Sequence, residues 1–215
     1  GWILENGFGD RYYQIGQEVV HGDSSRVIIP QGALIYFNTG LNTLGPITLE
    51  PGDKAIIISG KPLATTKYPL VSFRVNKCSG YLEKLDNVNF TPSLSTSCPR
   101  ASDYPEVDNF ETKCYDFVRR VSRCHTPEFK DIRTDDGGYE SGAVDGVIGL
   151  SNQCKAFIAN KLNYSSCVSN HINDEDFYEN EWRIYLGSSW ELWGKGRETI
   201  TLYDSLGRIV SQKEY

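Results

Sequence analysis

The chain has 215 residues, 39% hydrophobic and 23% charged, with a formal charge of −6. That balance suits a folded chain with a sizeable core, as one domain or two small ones, and excludes a disordered one. A sequence pI near 5.1 argues against a duplex nucleic-acid binder, which needs a basic face. No run reaches the roughly 20 apolar residues of a membrane span; the most apolar-looking region, 19–37, is broken by Asp23, Arg26, Pro30 and Gly32.

The N-terminal third reads as β. "GWILEN", "RVIIPQ", "ALIYFN", "ITLEPG" and "KAIIISG" are short β-branched or aromatic runs punctuated by Gly, Pro, Asn and Asp. His21, in "HGDSS", reads as a surface loop residue. Pro51 and Gly52 suit the centre of a type II turn, and "AIIIS" after them reads as an inner strand covered on both faces. Between 78 and 179 helical periodicity replaces the β signal. Val107, Phe110, Cys114, Phe117, Val118 and Val121 recur at helical spacing. Asp103 is the expected N-cap, Pro105 and Glu106 fall in the first turn, and Arg119, Arg120 and Arg123 lie toward the end before Pro127. "RTDDGGYESGAVDGVIG" reads as a loop. A second helix should follow Ser151, with Cys154, Phe157, Ile158 and Leu162 on one side and His171 as a cap. The last 35 residues return to β, with "DSLG" as a hairpin turn.

Neither β end supplies strands for two sheets by itself. The expected fold is therefore mainly β with an α insertion. Residues 1–77 and 180–215 together form one β-sandwich, interrupted by a cysteine-rich helical region at 78–179. With no methionine in the sequence, Gly1 is expected to follow processing, or the chain to be an excerpt of a longer product. Any signal peptide or anchor would then lie outside it.

Six cysteines, Cys78, Cys98, Cys114, Cys124, Cys154 and Cys167, form an even set that suits three disulfides in an oxidising compartment. Six cysteines allow fifteen pairings, and spacing does not choose among them. Structural zinc normally needs Cys-x2–4-Cys pairs, which are missing, and redox Cys-x-x-Cys is missing too. Cys114 on the first helix and Cys124 past its end are expected to tie that helix to neighbours. In a continuous helix they would stand about 15 Å apart, too far to bridge each other unless the chain folds back after Ser122.

Catalytic constellations are weak. A Cys–His pair at Cys124 and His125 lacks a spare thiol, and His21, His125 and His171 suggest no serine triad. Asp103, Glu106, Asp108 and Glu111 gather at the first helix, and Asp174, Glu175, Asp176 and Glu179 after the second. A glycosidase pair would have to come from these, joined across a cleft with one carboxyl raised. Residues 131–138, with Asp131, Asp135 and Asp136, and 173–177 offer the hard oxygens calcium prefers, without EF-hand spacing; solvated loop acids are the simpler reading. Arg119, Arg120 and Arg123 make too short a stripe for a phosphate track. Trp182, Trp190 and Trp193 with Tyr185 are candidates for stacking on sugars, or for covering a core. Acceptor sequons begin at Asn89 and Asn163.

"LEPGDKAIIISGK" followed by "NEWRIYLGSSWELWGKGRETITLYDSLGRIVSQKEY" resembles the bacterial lamin-tail domain. The ordered set "CSGYLEKLDNVNFTPSLSTSCPR", "KCYDFVRRVSRCHTP", "CKAFIANKLNYSSCV" and "NEWRIYLG" is similar to surface-associated members with a cysteine-containing insertion. The resemblance covers nearly the whole chain. It implies an immunoglobulin-like β-sandwich, secreted or anchored in the cell envelope, with no catalytic residues or cofactor. Its expected partners are other proteins or copies of itself at the cell surface, with no nucleic acid and no membrane span in this segment. A noncatalytic structural or protein-interaction module is the leading expectation. A carbohydrate-binding module and a glycoside hydrolase are the alternatives.

Overall fold

The computed structural model describes residues 3–6, 11–15, 18–22, 26–37, 40–60, 70–84, 89–133, 137–188 and 199–214. In chain order the strands are β1 (Ile3–Asn6), β2 (Arg11–Ile15), β3 (Glu18–Gly22), β4 (Arg26–Ile28), β5 (Lys54–Gly60), β6 (Phe73–Asn76), β7 (Phe129–Arg133), β8 (Tyr139–Val144), β9 (Tyr178–Ser188), β10 (Thr199–Tyr203) and β11 (Ile209–Glu214). The helices are α1 (Thr112–Arg120), α2 (Asn152–Lys161) and α3 (Tyr164–His171). This is a mixed α/β fold of several sheets and helices, and no closed sandwich or barrel forms among the described residues. The chain divides into two compact units, Gly1–Val75 with Asn180–Tyr215, and Asn76–Glu179.

In the first unit the two ends of the chain share sheets. One runs β11-β10-β1-β4, and Ile3 lies opposite Tyr203 in an antiparallel pair. Another runs β5-β9-β6, with Ala55 opposite Trp182 in a parallel pair. β2 and β3 form a hairpin, so His21 is a strand residue opposite Tyr12 rather than part of a loop. The turn before β5 is as expected: Asp53 N–H donates to the Glu50 carbonyl at 2.9 Å, and Gly52 has φ +95°, open to glycine without strain. β5 itself is not an inner strand. Among the described residues it is the outer member of its sheet and half-buried, while β9 takes the centre. "ALIYFN" and "ITLEPG" form no strands. Ala33 makes only an isolated bridge to Phe73. The Asn42 side chain closes the chain on Phe37, its Oδ1 accepting from Phe37 N–H and its Nδ2 donating to Phe37 carbonyl, so local bonds replace ladder bonds. At the C-terminal hairpin, Asp204 Oδ1 accepts from the Leu206 and Arg208 amides, forming the "DSLG" turn.

The core of this unit includes Tyr36, Phe73, Val75, Trp182 and Ile184, with Trp182 Nε1 donating to the Thr48 carbonyl at 3.1 Å. Arg183 is buried beside them. Its Nε reaches Glu181 at 2.7 Å, and Glu181 also holds Lys54 at 2.6 Å. Burial works to raise the Glu181 carboxyl, but its bonds to Lys54 and Arg183 outweigh that and hold it below the usual range.

In the second unit the long first helix is replaced by 3-10 turns at Ala101–Asp103 and Pro105–Asn109 before α1. Tyr104 is extended, as a residue preceding proline prefers, and Asp103 Oδ2 accepts from Arg100 N–H at 3.3 Å instead of capping an α-helix. The N-cap of α1 is Glu111. The second helix is two helices, divided at Asn163. Its Nδ2 donates to the Ala159 carbonyl at the end of α2, and its Oδ1 caps the Ser166 amide of α3, both at 2.9 Å. The stretch expected as a loop contains β8, which pairs antiparallel with β7 just before it and buries Ala143 and Val144. Its glycines and acids hid that pairing.

The cysteines form three disulfides, Cys78–Cys167, Cys98–Cys124 and Cys114–Cys154. Cys114 and Cys154 are each the third residue of their helix, so the bond joins two helix N-termini. Beside it Ser151 N–H donates to Glu111 Oε1 at 3.3 Å, and Ser151 Oγ caps the Cys154 amide. Around the sulfurs lie Val107, Val118, Val144, Leu150 and Ile158. Gly80 lies against Cys124, where a β-carbon would stand 2.4 Å from its Sγ; only glycine admits the Cys98–Cys124 bridge there.

Two measurements check this account. The Glu181 carboxyl titrates lower folded than unfolded, so its stabilisation is complete above the ordinary glutamate range and is lost as pH falls through the folded value. Glu181→Gln should lower urea-unfolding stability by about 3 kcal/mol at neutral pH, because a buried Arg183 loses a charged partner, and should flatten the acid limb; an unchanged midpoint would refute the pairing. Replacing Cys114 and Cys154 together by alanine should cost about 4 kcal/mol, since the bridge closes a separation of 40 residues.

Candidate functional site

A concavity lies within the second unit, on the solvent side of α1. It has a volume of about 460 Å³, within the range of small-ligand pockets. Cys114 and Val118 turn inward, which leaves Lys113, Phe117, Arg120 and Val121 lining the groove. The far wall is Asp145 and Val147, and Ser122 and His125 close the end past the helix. Phe117, Val121 and Val147 are half-buried and pack on the core, giving an apolar floor under a polar rim.

Asp145 of the far wall, and Cys124 next to His125, are held in an unusual backbone. Cys124 has φ +57° and Asp145 φ +46°, the non-glycine residues with positive φ among those described. Such conformations persist only where surrounding contacts impose them. At Cys124 the disulfide to Cys98 does so. At Asp145 three bonds do: its N–H donates to the Glu128 carbonyl, its Oδ1 accepts from Glu128 N–H at 2.9 Å, and its Oδ2 meets His125 Nε2 at 2.8 Å. A carboxylate only accepts, so Nε2 carries the hydrogen of that contact, which leaves Nδ1 for another partner.

Charge also singles out this face. The whole −6 of the chain falls within 76–179, the remainder being balanced. Yet residues 112–123 carry Lys113, Arg119, Arg120 and Arg123 against Asp116 alone. Arg119 and Arg120 suit the negative end of the helix dipole, and Arg119 also donates to Tyr115 Oη at 3.1 Å. Arg120 meets Asp116 at 3.7 Å, both well exposed.

Several of the acids expected as glycosidase or calcium candidates are otherwise engaged. Lys77 binds both Asp174, at 2.9 Å, and Asp176, and His171 Nδ1 meets Asp174 at 2.8 Å. These contacts, Lys77 first, hold the Asp174 carboxyl below its usual range, the opposite of a proton donor. The Ser151 bond likewise lowers Glu111. Glu106 lies 3.6 Å from Lys161, whose ammonium sits 5.0 Å over the Tyr104 ring. Burial, then the charges of Glu106 and Asp174, push the Tyr104 hydroxyl up, and burial pushes Tyr81 up to about 12. Asp103 bonds Arg100 N–H, Asp131 Oδ1 accepts from Gly142 N–H at 2.8 Å, and Asp108 and Glu175 are exposed. Asp135 and Asp136 lie outside the described residues.

Glu111 also approaches Cys114 and Cys154 closely enough to suggest a metal, but those two sulfurs are bonded to each other. Trp182 is buried at 1% exposure, which removes it from a sugar platform, and Tyr185 is half-buried; Trp190 and Trp193 lie outside the described residues. No helix among the described residues is long and apolar enough to cross a membrane.

Sequence reasoning found α1 and its cations, but passed over Asp145 because it lay in an expected loop. The signal available was "AVDGV", an Asp-Gly turn after an apolar pair. No protein-family model, curated protein or solved structure matches the chain.

Asp145→Ala should lower stability by about 2 kcal/mol, by removing two acceptors from a left-handed residue. Asp145→Asn, which tolerates that conformation, should cost less. Equal costs in chemical denaturation would refute this account of the wall.

Proposed function

We propose that this chain is a noncatalytic interaction module of the cell exterior or envelope. In this reading the β unit is an immunoglobulin-like, lamin-tail-like sandwich split in sequence, and the disulfide-braced unit presents the contact surface. The observation that carries the proposal is the confinement of all three disulfides to the unit that holds the groove. Disulfides persist in oxidising compartments, and here they brace a surface rather than supply a reactive thiol. The sharing of sheets between the chain's two ends supports a single split β module. The groove's rigid, strained end wall and locally reversed charge are features that a contact surface uses.

The glycosidase alternative is disfavoured by the downward shifts of Asp174 and Glu111. The sugar-binding alternative is disfavoured by burial of Trp182.

A membrane-impermeant amine reagent applied to intact source cells should label the chain, and benzoylphenylalanine at exposed Arg123 should give a discrete photocrosslinked adduct there. Labelling that requires lysis, or no adduct at the cell surface, would defeat this reading.

A further inference from the structure

Resting on that reading, we propose that the groove beside α1 receives an acidic side chain flanked by apolar residues on a partner polypeptide. The floor of Phe117, Val121 and Val147 supplies apolar contact, and the rim supplies the charge. Lys113 forms no hydrogen bond or ion pair with any described residue, and it stands at the groove edge. Arg120 has only the exposed 3.7 Å contact to Asp116, a pair of the kind that contributes little and exchanges readily. Two cations are therefore available to one incoming carboxylate.

The acids of the groove do not cancel them equally. Both Asp145 oxygens already accept, from Glu128 N–H and from His125. Asp116 is the remaining anion, and it is the residue Arg120 would release. His125 Nδ1 forms no hydrogen bond with a described residue and is open to a polar backbone group next to the bound carboxylate. The surrounding unit is acidic, so an acidic segment is turned away elsewhere and held at this face. Like-charge repulsion then adds selectivity to the attraction. A free amine or a basic segment finds the reverse pattern, attracted to the unit at large but not to the groove.

The test uses the full chain with its disulfides intact, labelled with nitrogen-15 and titrated with three peptides: acetyl-Leu-Glu-Phe-amide and its Gln and Lys counterparts. The Glu peptide should shift the amides of Lys113, Phe117, Arg120 and Val147 saturably. The Gln peptide should bind roughly fivefold more weakly or worse, and the Lys peptide more weakly still. Lys113→Gln with Arg120→Gln should bring the Glu peptide down to the level of the Gln peptide, with the chain still folded by its amide spectrum. Equal binding of Glu and Gln peptides, preference for Lys, saturation at another surface, or no shift at millimolar peptide would each overturn the proposal. If the chain is labelled on intact cells and crosslinks at Arg123 while the peptides fail, the ligand class falls and the module reading stands.

Discussion

The bond between Cys114 and Cys154 is the constraint on which the second unit depends. It joins two helices at the same position, the third residue of each, and so fixes the rotation of α1 as well as its location. With Cys114 and Val118 drawn inward, the i+3 positions Phe117 and Val121 are left half-covered, and Lys113 and Arg120 must face water. The groove is the outer face of a helix whose inner face is covalently pinned. The Glu111–Ser151 contact reinforces the same junction, and it places an acid at two positive helix ends.

The end wall shows a second use of covalent bracing. Cys124 and Asp145 hold left-handed backbone without the freedom of glycine. One is imposed by a disulfide and the other by a reciprocal pair of bonds to Glu128. His125 sits beside the first and bonds to the second, so its ring is positioned from both sides. In the β unit charge does comparable work. Glu181 bridges a buried guanidinium and an exposed ammonium, so the central strand β9 carries a charged cluster beside Trp182.

How much of this could be read from the residues follows from the range of the interactions involved. The even cysteine set without close pairs led to disulfides, since that inference needs composition and nearest spacing only; which cysteines pair depends on tertiary approach and was not legible. The stripe through Cys114, Phe117, Val118 and Val121 gave α1 its register. The same period extended falsely back through Val107 and Phe110, because 3-10 turns can bury similarly spaced residues, and the helix is interrupted where Phe110 and Glu111 take non-helical backbone. Asn163 falls within the stretch expected as one second helix, because its neighbours keep the apolar period. Its amide satisfying two helix ends at once is a backbone effect that periodicity does not report. The expected inner position of β5 failed for a related reason: "AIIIS" is as apolar as a central strand, but order within a sheet is set by partners far away in sequence. Asp145 and His125 meet across 20 residues, and no local pattern announces that.

The ends of the 76–179 segment are themselves tied together. Lys77 N–H donates to the Phe177 carbonyl, its ammonium takes Asp174 and Asp176, and Cys78 is bonded to Cys167 with 5.8 Å between their α-carbons. The two ends of this hundred-odd-residue segment thus lie about as close together as the ends of a tight turn. Such a cassette imposes little loop-closure penalty on its host.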